Sequence, residues 1–262
     1  MDRWTSGAHY DQWMGRWSRL LAQEFLDWLD LPAGLGWLDV CCGSGMITEA
    51  IVERNAPASI AGVDASPDQI SFARQQRAYP NVTFEIADAM VLPFPDSSFD
   101  VAVCGLGLNF LPSPAGALEE FRRVTRPGGT IAVYVWDYAE GARFLREFWD
   151  AAIAIDRKAA TFDQARRFPM CAQEGLRELF EQAKLKDLTV HALDVVTRFS
   201  SFDDYWQPLL TGQGSAPSYL ATRDQQIQSA IRERLRAVLP ANAHGAIELP
   251  ARAWAIRART SL

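Results

Sequence analysis

Two aspartates and a short glycine-rich run have the residue types and spacing of a nucleotide-binding site. The run Cys41-Cys42-Gly43-Ser44-Gly45 follows Asp39, and Asp64 comes about 20 residues after the second glycine. Glycines let the backbone approach a ligand closely, and a helix that starts beside them offers unpaired N–H groups. An acid at that distance can bind ribose hydroxyls. The sequence therefore predicts a site for a nucleoside-containing cofactor.

Two classes of cofactor compete for this site. A dinucleotide site has the pattern G-x-G-x-x-G, but Thr48 stands where a third glycine would fall. Asp39 would also repel a pyrophosphate, whereas its charge would pair with the α-ammonium group of a methionine moiety. The residues therefore favour a sulfonium cofactor, and a nucleotide-dependent oxidoreductase is the weaker alternative.

The elements that must position these residues alternate between strand and helix. Hydrophobic periodicity predicts strands at residues 36–41, 59–63, 82–86, 99–104 and 130–136, with helices at 46–54, 67–77 and 115–125. Ser66 is expected to cap the second of these helices, and Pro127-Gly128-Gly129 is predicted as a turn. Such alternation predicts a parallel sheet covered on both faces, whose strand ends bring Asp39 and Asp64 to one edge.

Helical segments are expected before and after this core. The pattern predicts a helix at 10–29 and, beyond residue 136, helices at 142–156 and 173–183, strands at 188–193, 195–199 and 246–258, and helical stretches within 201–240. We expect an N-terminal helical extension at 1–34 and a main domain at 35–262, with cap segments near 141–183 and 201–240. Residues 201–240 and the N-terminal helix are expected to form a lid that excludes water.

Several sequence runs resemble a known family. They are L-D-V-C-C-G-S-G, G-V-D-A-S, A-D-A-M-V-L-P-F-P-D-S-S-F-D-V, L-N-F-L-P and R-R-V-T-R-P-G-G-T. Together they resemble class I methyltransferases of the ubiquinone/menaquinone-biosynthesis type, with a methyltransferase type 11 domain, over about residues 36–136. The resemblance implies a Rossmann-like, doubly wound sheet of seven strands with the last antiparallel. It also implies S-adenosylmethionine as cofactor and S-adenosylhomocysteine as product.

The resemblance assigns roles to individual residues. Asp39, Gly43 and Gly45 would hold the methionine part, Asp64 the ribose, and Asp88 with Ala89 the adenine edge. The remaining members of the expected cofactor site are Ala65, Met90, Cys41, and Cys104 and Gly105, the last two through backbone carbonyls. The same resemblance implies that Leu106 to Phe110 form the floor of the substrate side. The family usually has glycine where Cys41 stands. Either a Cβ is tolerated there, or the cofactor lies slightly differently.

No catalytic residue is identified by the sequence. A sulfonium already activates its methyl group, so an acid or base is not obligatory, although an oxygen or carbon acceptor would profit from a base. His9, Tyr10 and Tyr205 are the candidates. The four cysteines and three histidines match no metal-binding spacing, so no metal is expected. A binding module that retains the cofactor without catalysis is the main alternative to an enzyme.

Charge and motifs favour a small-molecule acceptor, apolar or aromatic. The net charge of −6 and pI near 5.2 disfavour a nucleic acid partner, and no Asn/Asp-Pro-Pro-aromatic motif follows the fourth strand. No leader or membrane span is recognised, so we expect a cytoplasmic protein without membrane partners, as a monomer or homodimer. Aromatic residues such as Phe144 and Trp149 are expected in the core, with pocket lining as the alternative. Arginines such as Arg146 are expected to face water, with pairing to a substrate carboxylate as the alternative.

Overall fold

Strands and helices alternate through the first half of the computed structural model, which describes residues 14–210 and 214–261. The elements are α1 (Arg16–Leu29), β1 (Gly36–Val40), α2 (Met46–Asn55), β2 (Ser59–Asp64), α3 (Pro67–Gln76), β3 (Val82–Ile86), β4 (Phe99–Gly105), α4 (Pro114–Val124) and β5 (Thr125–Trp136). Every strand and helix predicted between residues 36 and 136 is present. The helix predicted at the N-terminus ends at Leu29, as expected.

The second half of the chain is richer in helix. Its elements are α5 (Arg143–Ile155), α6 (Gln164–Arg167), α7 (Gln173–Gln182), β6 (Lys186–Phe199), α8 (Phe202–Trp206), α9 (Ser215–Leu220), α10 (Gln225–Val238) and β7 (Ile247–Arg259). The predicted helices at 142–156 and 173–183 correspond to α5 and α7. The predicted closing strand corresponds to β7.

The seven strands form one sheet in the order β3-β2-β1-β4-β5-β7-β6. The first five strands in this order, β3 to β5, are parallel to one another. Val40 on β1 is opposite Val63 on β2, and Asp39 on β1 is opposite Val103 on β4. Strand β7 is antiparallel, so the predicted Rossmann-like fold is confirmed. The strand order reverses at β1, which lies between β2 and β4. Ligands of doubly wound sheets bind beyond the carboxyl ends of the strands at such a point.

Local sequence signals explain where the helices around the sheet begin. The Ser66 hydroxyl accepts a hydrogen bond from the Gln69 N–H at 3.4 Å, and Pro67 occupies the first helical position of α3. The Ser113 hydroxyl caps α4 in the same way. Such caps satisfy backbone donors that a helix leaves unpaired at its start. The two helices therefore begin within one residue of the predicted positions.

The described chain consists of two compact units. The sheet unit comprises residues 14–135, 170–193 and 254–261, and the helical unit comprises residues 136–169, 194–210 and 214–253. Helices α1 and α7 consequently belong to the sheet unit. The roles expected for residues 1–34, 141–183 and 201–240 as cap or lid segments remain predictions.

The helical unit has its own core of aromatic rings. Phe148 and Trp149 are buried, and their ring centroids lie 6.4 and 5.7 Å from that of Tyr219. Arg146 is also buried and pairs with the buried Asp163, with nitrogen and oxygen 2.9 Å apart. The expectation that Arg146 faces water was therefore wrong, because a buried carboxylate on a neighbouring segment holds its guanidinium. The ring contacts support core packing for these aromatic residues.

Two strands differ from their predicted bounds. Residues 127–129 lie within β5 as a bulge, because Thr125 pairs with Phe99 and Thr130 pairs with Val101. They therefore do not form a separate turn. In β6, the predicted interruption at Asp194 is absent. Asp194 continues the strand and forms an ion pair with Arg252 at 2.8 Å, so an acidic residue on an exposed strand face was mistaken for a break.

Candidate functional site

Asp39 lies on β1 with no exposed surface. Its Oδ2 accepts hydrogen bonds from the backbone N–H and the hydroxyl of Thr48, at 3.1 and 2.7 Å, in the first turn of α2. Its Oδ1 has no hydrogen-bond partner among the described residues. Burial raises the pKa of Asp39 to about 7. Because a buried carboxylate oxygen without a donor is costly, this arrangement favours a ligand that donates hydrogen bonds or carries positive charge.

The turn between β1 and α2 leaves space for a ligand on one side. Gly43 and Gly45 both have left-handed backbones, with φ of 54° and 84°. A Cβ on Gly43 would meet a single described atom, the Oε1 of Gln69, at 3.9 Å, whereas one on Gly45 would lie 2.8 Å from the Arg77 Cδ. Gly45 is therefore required by packing, and Gly43 presents an open backbone surface.

Asp64 links the end of β2 to this turn. Its Oδ2 accepts a hydrogen bond from the Gly43 N–H at 3.0 Å, and its Oδ1 accepts one from the Ser66 N–H at 2.9 Å. Burial raises the pKa of Asp64, although the two backbone donors oppose this shift. Two predicted site residues, Asp64 and Gly43, are thus brought into direct contact. The next residue, Ala65, is exposed.

The segment after β3 joins the same edge. The N–H of Ala87 donates to the Asp64 carbonyl oxygen at 3.1 Å, which brings Asp88 close to the end of β2. The Asp88 carboxylate then accepts a hydrogen bond from the Met90 N–H at 2.9 Å. Ala89, which lies between Asp88 and Met90 in the sequence, is buried. The predicted residues at the ends of β1, β2 and β3 are therefore assembled at one edge of the sheet unit.

Cys41 has a left-handed backbone with φ of 58°, a conformation that glycine adopts more easily than other residues. Its side chain fits because Gly107 has none, since a Cβ on Gly107 would lie only 2.5 Å from that of Cys41. The Cys41 thiol is hydrogen bonded to Cys104, and this contact, followed by burial, raises the pKa of Cys41. Neither thiol forms a disulfide. A Cβ is thus tolerated at the position where the family resembled by the sequence usually has glycine.

The chain turns sharply where β4 ends. A side chain on Gly105 would overlap Ile47 and Tyr134, so packing within the sheet unit requires glycine there. Leu106 has a φ of 59°, and its N–H donates to the Tyr134 carbonyl oxygen at 2.8 Å. The expected use of the Cys104 and Gly105 carbonyls for the cofactor remains a prediction.

Three buried polar side chains at this edge had no side-chain role in the sequence-based prediction, although Asn109 lies in the segment 106–110 that the resemblance places on the substrate side. The Oγ of Ser44 and the Oε1 of Gln69 lack hydrogen-bond partners within the described ranges, and so do both amide atoms of Asn109. Ser44 lies inside the glycine run and Asn109 inside the L-N-F-L-P run, so both stood in motifs already noted. Burial without a partner depends on tertiary packing, which a motif does not reveal.

Of the three candidate bases, Tyr205 is the one that the structure describes. His9 and Tyr10 lie outside the described residues. Tyr205 is fully buried in the helical unit, and its hydroxyl donates to the Phe144 carbonyl oxygen at 2.8 Å. Burial raises the pKa of Tyr205 strongly. A buried phenol with a raised pKa is a poor general base, and its role remains an untested prediction.

Comparisons with known proteins identify the family. Residues 38–133 match a family model described as a methyltransferase domain. A demethylmenaquinone methyltransferase from Bacillus licheniformis is 32% identical over 177 residues, which are 62% of this chain and 75% of that protein. This chain belongs to the class I S-adenosylmethionine-dependent methyltransferases. The methyltransferase is also 31% identical over 167 residues to demethylmenaquinone methyltransferase from Staphylococcus aureus, covering 59% of this chain and 69% of that one. S-adenosylmethionine, the methyl donor of the family, is its cofactor.

Solved structures share the fold of this methyltransferase. The YcgJ protein of Bacillus subtilis superimposes with a TM-score of 0.58 at 16% identity, covering 92% of this chain and 98% of that chain. Phosphoethanolamine N-methyltransferase 2 of Haemonchus contortus, in complex with S-adenosyl-L-methionine, gives a TM-score of 0.57 at 16% identity, covering 94% and 52%. At this identity the likeness concerns the fold alone.

Within the described ranges, no helix of the methyltransferase combines the length and apolar character that a membrane crossing requires. The cytoplasmic location, the monomeric or dimeric state and the exclusion of nucleic acid remain predictions from the sequence.

Proposed function

We propose that this methyltransferase transfers the methyl group of S-adenosylmethionine to a small-molecule acceptor that carries a hydroxylated aromatic ring. The observation that carries the cofactor placement is the buried Oδ1 of Asp39, which lacks a partner in the described part of the chain. The turn that follows Asp39 in sequence presents the open backbone surface of Gly43. An ammonium group suits such an oxygen because it supplies both a donor and a compensating charge. We therefore assign the α-ammonium group of the cofactor to Asp39, and the rest of its methionine part to the turn at 43–45.

The neighbouring strand ends receive the nucleoside. We assign the ribose hydroxyls to Asp64, because each of its oxygens accepts one backbone hydrogen bond and an ionised carboxylate can accept about four in all. The adenine edge is assigned to the segment of Asp88, Ala89 and Met90, which the Asp64 carbonyl holds nearby. Cys41, Ala65, Cys104 and Gly105 complete the proposed site.

The chain's own contribution is binding and orientation. When bound, S-adenosylmethionine supplies a methyl group that is already activated by its sulfonium charge, so no acid or base is obligatory. Asp39 fixes the methionine end of the donor and Asp64 its ribose, and the residues after β4 border the acceptor side. Holding the acceptor in line and excluding water are then the main ways in which the protein lowers the barrier.

Three observations support a neutral aromatic acceptor. The relatives with 31–32% identity are named for demethylmenaquinone. Leu106 and Leu108, which follow β4, are buried apolar residues beside the proposed acceptor side. The net charge of −6 and the two site carboxylates disfavour polyanionic substrates. A neutral aromatic ring fits all three. The hydroxyl group follows from the chemistry, because a sulfonium methyl group is transferred to a nucleophile and a hydroxylated ring is more electron-rich than a quinone.

Gly43→Ala is expected to weaken S-adenosylmethionine binding at least about tenfold, because a methyl group would enter the space beside the turn. Its matched control is Gly34→Ala, since Gly34 has φ of 81° with nothing within 4 Å of an added Cβ. Both substitutions force alanine into a left-handed backbone and should cost about 1 kcal/mol of folding stability. Calorimetric titration and thermal unfolding of both variants separate the two effects. Equal affinity for the cofactor in the two variants would contradict the proposed placement.

The proposed activity is tested with methyl-labelled S-adenosylmethionine and a panel of acceptors. We expect label transfer to 1,4-naphthohydroquinone or 1-naphthol, and none to ethanolamine or transfer RNA. Asp64→Ala serves as the control that should lose the transfer. Label transfer to ethanolamine or RNA alone would contradict the acceptor class. Cofactor binding without transfer to any member of the panel would contradict the proposal and favour a non-catalytic binding module.

A further inference from the structure

Asn109 is a buried amide that the fold itself leaves unsatisfied. It lies in a short 3-10 turn at Leu108–Phe110 and is 4% exposed. Neither its Oδ1 nor its Nδ2 has a hydrogen-bond partner among the residues that the structure describes. More than nine in ten buried polar groups in proteins are hydrogen bonded, so an amide that lacks partners at both ends requires an explanation. Leaving it unpaired costs free energy that an apolar residue of similar shape would not.

The place of Asn109 in the fold gives that explanation. Strand β4 pairs with β1 so that Val103 is opposite Asp39, and the chain beyond β4 therefore passes the Cys41 turn. The two backbones are in close approach there, since a Cβ on Gly107 would be 2.5 Å from that of Cys41. Asn109 follows Gly107 by two residues. The segment that carries the unsatisfied amide thus passes next to the strand ends at which the cofactor site is proposed.

The chemistry of the surroundings narrows what the amide can bind. The residue before it, Leu108, is fully buried, and Leu106 is 8% exposed, so the neighbourhood is apolar. The carboxylates of Asp39 and Asp64 lie at this edge, where they accept hydrogen bonds from Thr48 and from the Gly43 N–H, and they give it negative charge when ionised. An anionic partner is therefore disfavoured. A neutral hydroxyl group can donate to Oδ1 and accept from Nδ2, so it can satisfy either end of the amide.

We infer that the Asn109 amide binds the hydroxyl group of the aromatic acceptor and so fixes the orientation of its ring. This inference rests on the proposed function and adds to it the residue that recognises the acceptor. An apolar surround with one well-placed polar group is the usual construction of a small-molecule site. Asn109 is an acceptor-binding residue in this account, and it has no part in holding the cofactor.

The test compares 1-naphthol with naphthalene, which lacks the hydroxyl group, as ligands of the full chain saturated with S-adenosylhomocysteine. We expect wild type to bind 1-naphthol about tenfold more tightly than naphthalene, the size of one hydrogen bond. Asn109→Leu, which keeps the shape of the side chain, should reduce this ratio to about one without changing S-adenosylhomocysteine affinity. Asn109→Ala should do the same if the leucine variant does not fold. Asn55→Leu is the matched control, because Asn55 is also buried, its Oδ1 has no partner among the described residues, and it ends α2 away from this edge.

The same experiment separates failure of this inference from failure of the proposed function. A preference for 1-naphthol that survives in both Asn109 variants would overturn the inference, while the aromatic acceptor would stand. Binding of neither ligand by the wild-type complex would overturn both. An equal loss of preference in Asn55→Leu would show that the effect comes from general loosening of the sheet unit, and would also overturn the inference.

Discussion

Asp64→Ala is expected to lower the affinity for S-adenosylmethionine and for S-adenosylhomocysteine by about 100-fold or more. The carboxylate is the proposed ribose ligand, and it also holds the Gly43 and Ser66 N–H groups at 3.0 and 2.9 Å. Hydrogen bonds to a charged group are each worth about 1.5–3 kcal/mol, and every 1.4 kcal/mol is a factor of ten in affinity. The substitution thus removes ligand contacts and loosens the turn that carries the rest of the site.

Calorimetric titration of both ligands measures this effect, with two variants as controls. Asp64→Asn keeps an oxygen that can accept a hydrogen bond and should lose less affinity than Asp64→Ala. Asp68→Ala changes an exposed acid in the first turn of α3 and should bind as wild type does. Affinity of Asp64→Ala within threefold of wild type would show that the ribose lies elsewhere.

Asp39→Asn is expected to weaken cofactor binding at pH 8 at least about tenfold, yet to stabilise the cofactor-free protein at the same pH. Burial holds the pKa of Asp39 near 7, against its ordinary 3.8. Between these values the folded protein binds more protons than the unfolded chain, so the stability contributed by this group falls as the pH rises from about 4 to 7. Above pH 7 Asp39 is ionised in the folded protein, and the full cost of burying its charge is present. The neutral amide removes that cost, but it also removes the charge that the cofactor's ammonium group requires.

Thermal unfolding and calorimetry together check both halves of the Asp39 prediction. Without cofactor, Asp39→Asn should unfold at least about 3 °C above wild type at pH 8, and the gap should narrow towards pH 5. When wild type binds S-adenosylmethionine near pH 7, Asp39 should release about half a proton. This release is measured by calorimetry in buffers of different ionisation enthalpy, as the number of protons that wild type releases beyond the number that the variant releases. A variant that is less stable than wild type at pH 8 and binds the cofactor equally well would contradict the assigned role.

Most of the sheet could be predicted because its signals are local. Ser66 and Pro67 define the start of α3 through a cap and a fixed φ, and these act over only a few residues. The bulge at 127–129 could not be predicted, because it depends on how Thr125 and Thr130 pair with β4. The continuity of β6 through Asp194 likewise depends on Arg252, which is distant in sequence. Pairing between separate strands is what the local pattern does not contain.

The candidate site shows the same division. Asp39, Gly43 and Asp64 were predicted because their spacing and residue types have a direct chemical reason, and the structure places Gly43 against Asp64. Asn109 lay in the segment 106–110 expected on the substrate side, but no role for its side chain was predicted, since its significance is a buried amide without partners among the described residues. Arg146 was mispredicted because its partner Asp163 lies on another segment of the helical unit. Burial and pairing are properties of the packed chain.

The most direct test of the central claim is a crystal structure of the full chain with S-adenosylhomocysteine. We expect the amino group of the ligand within hydrogen-bonding distance of Asp39, its ribose hydroxyls on Asp64, and its methionine part along the turn at 43–45. Density for the ligand away from the carboxyl ends of β1 and β2, or none in crystals grown at saturating ligand, would contradict the account.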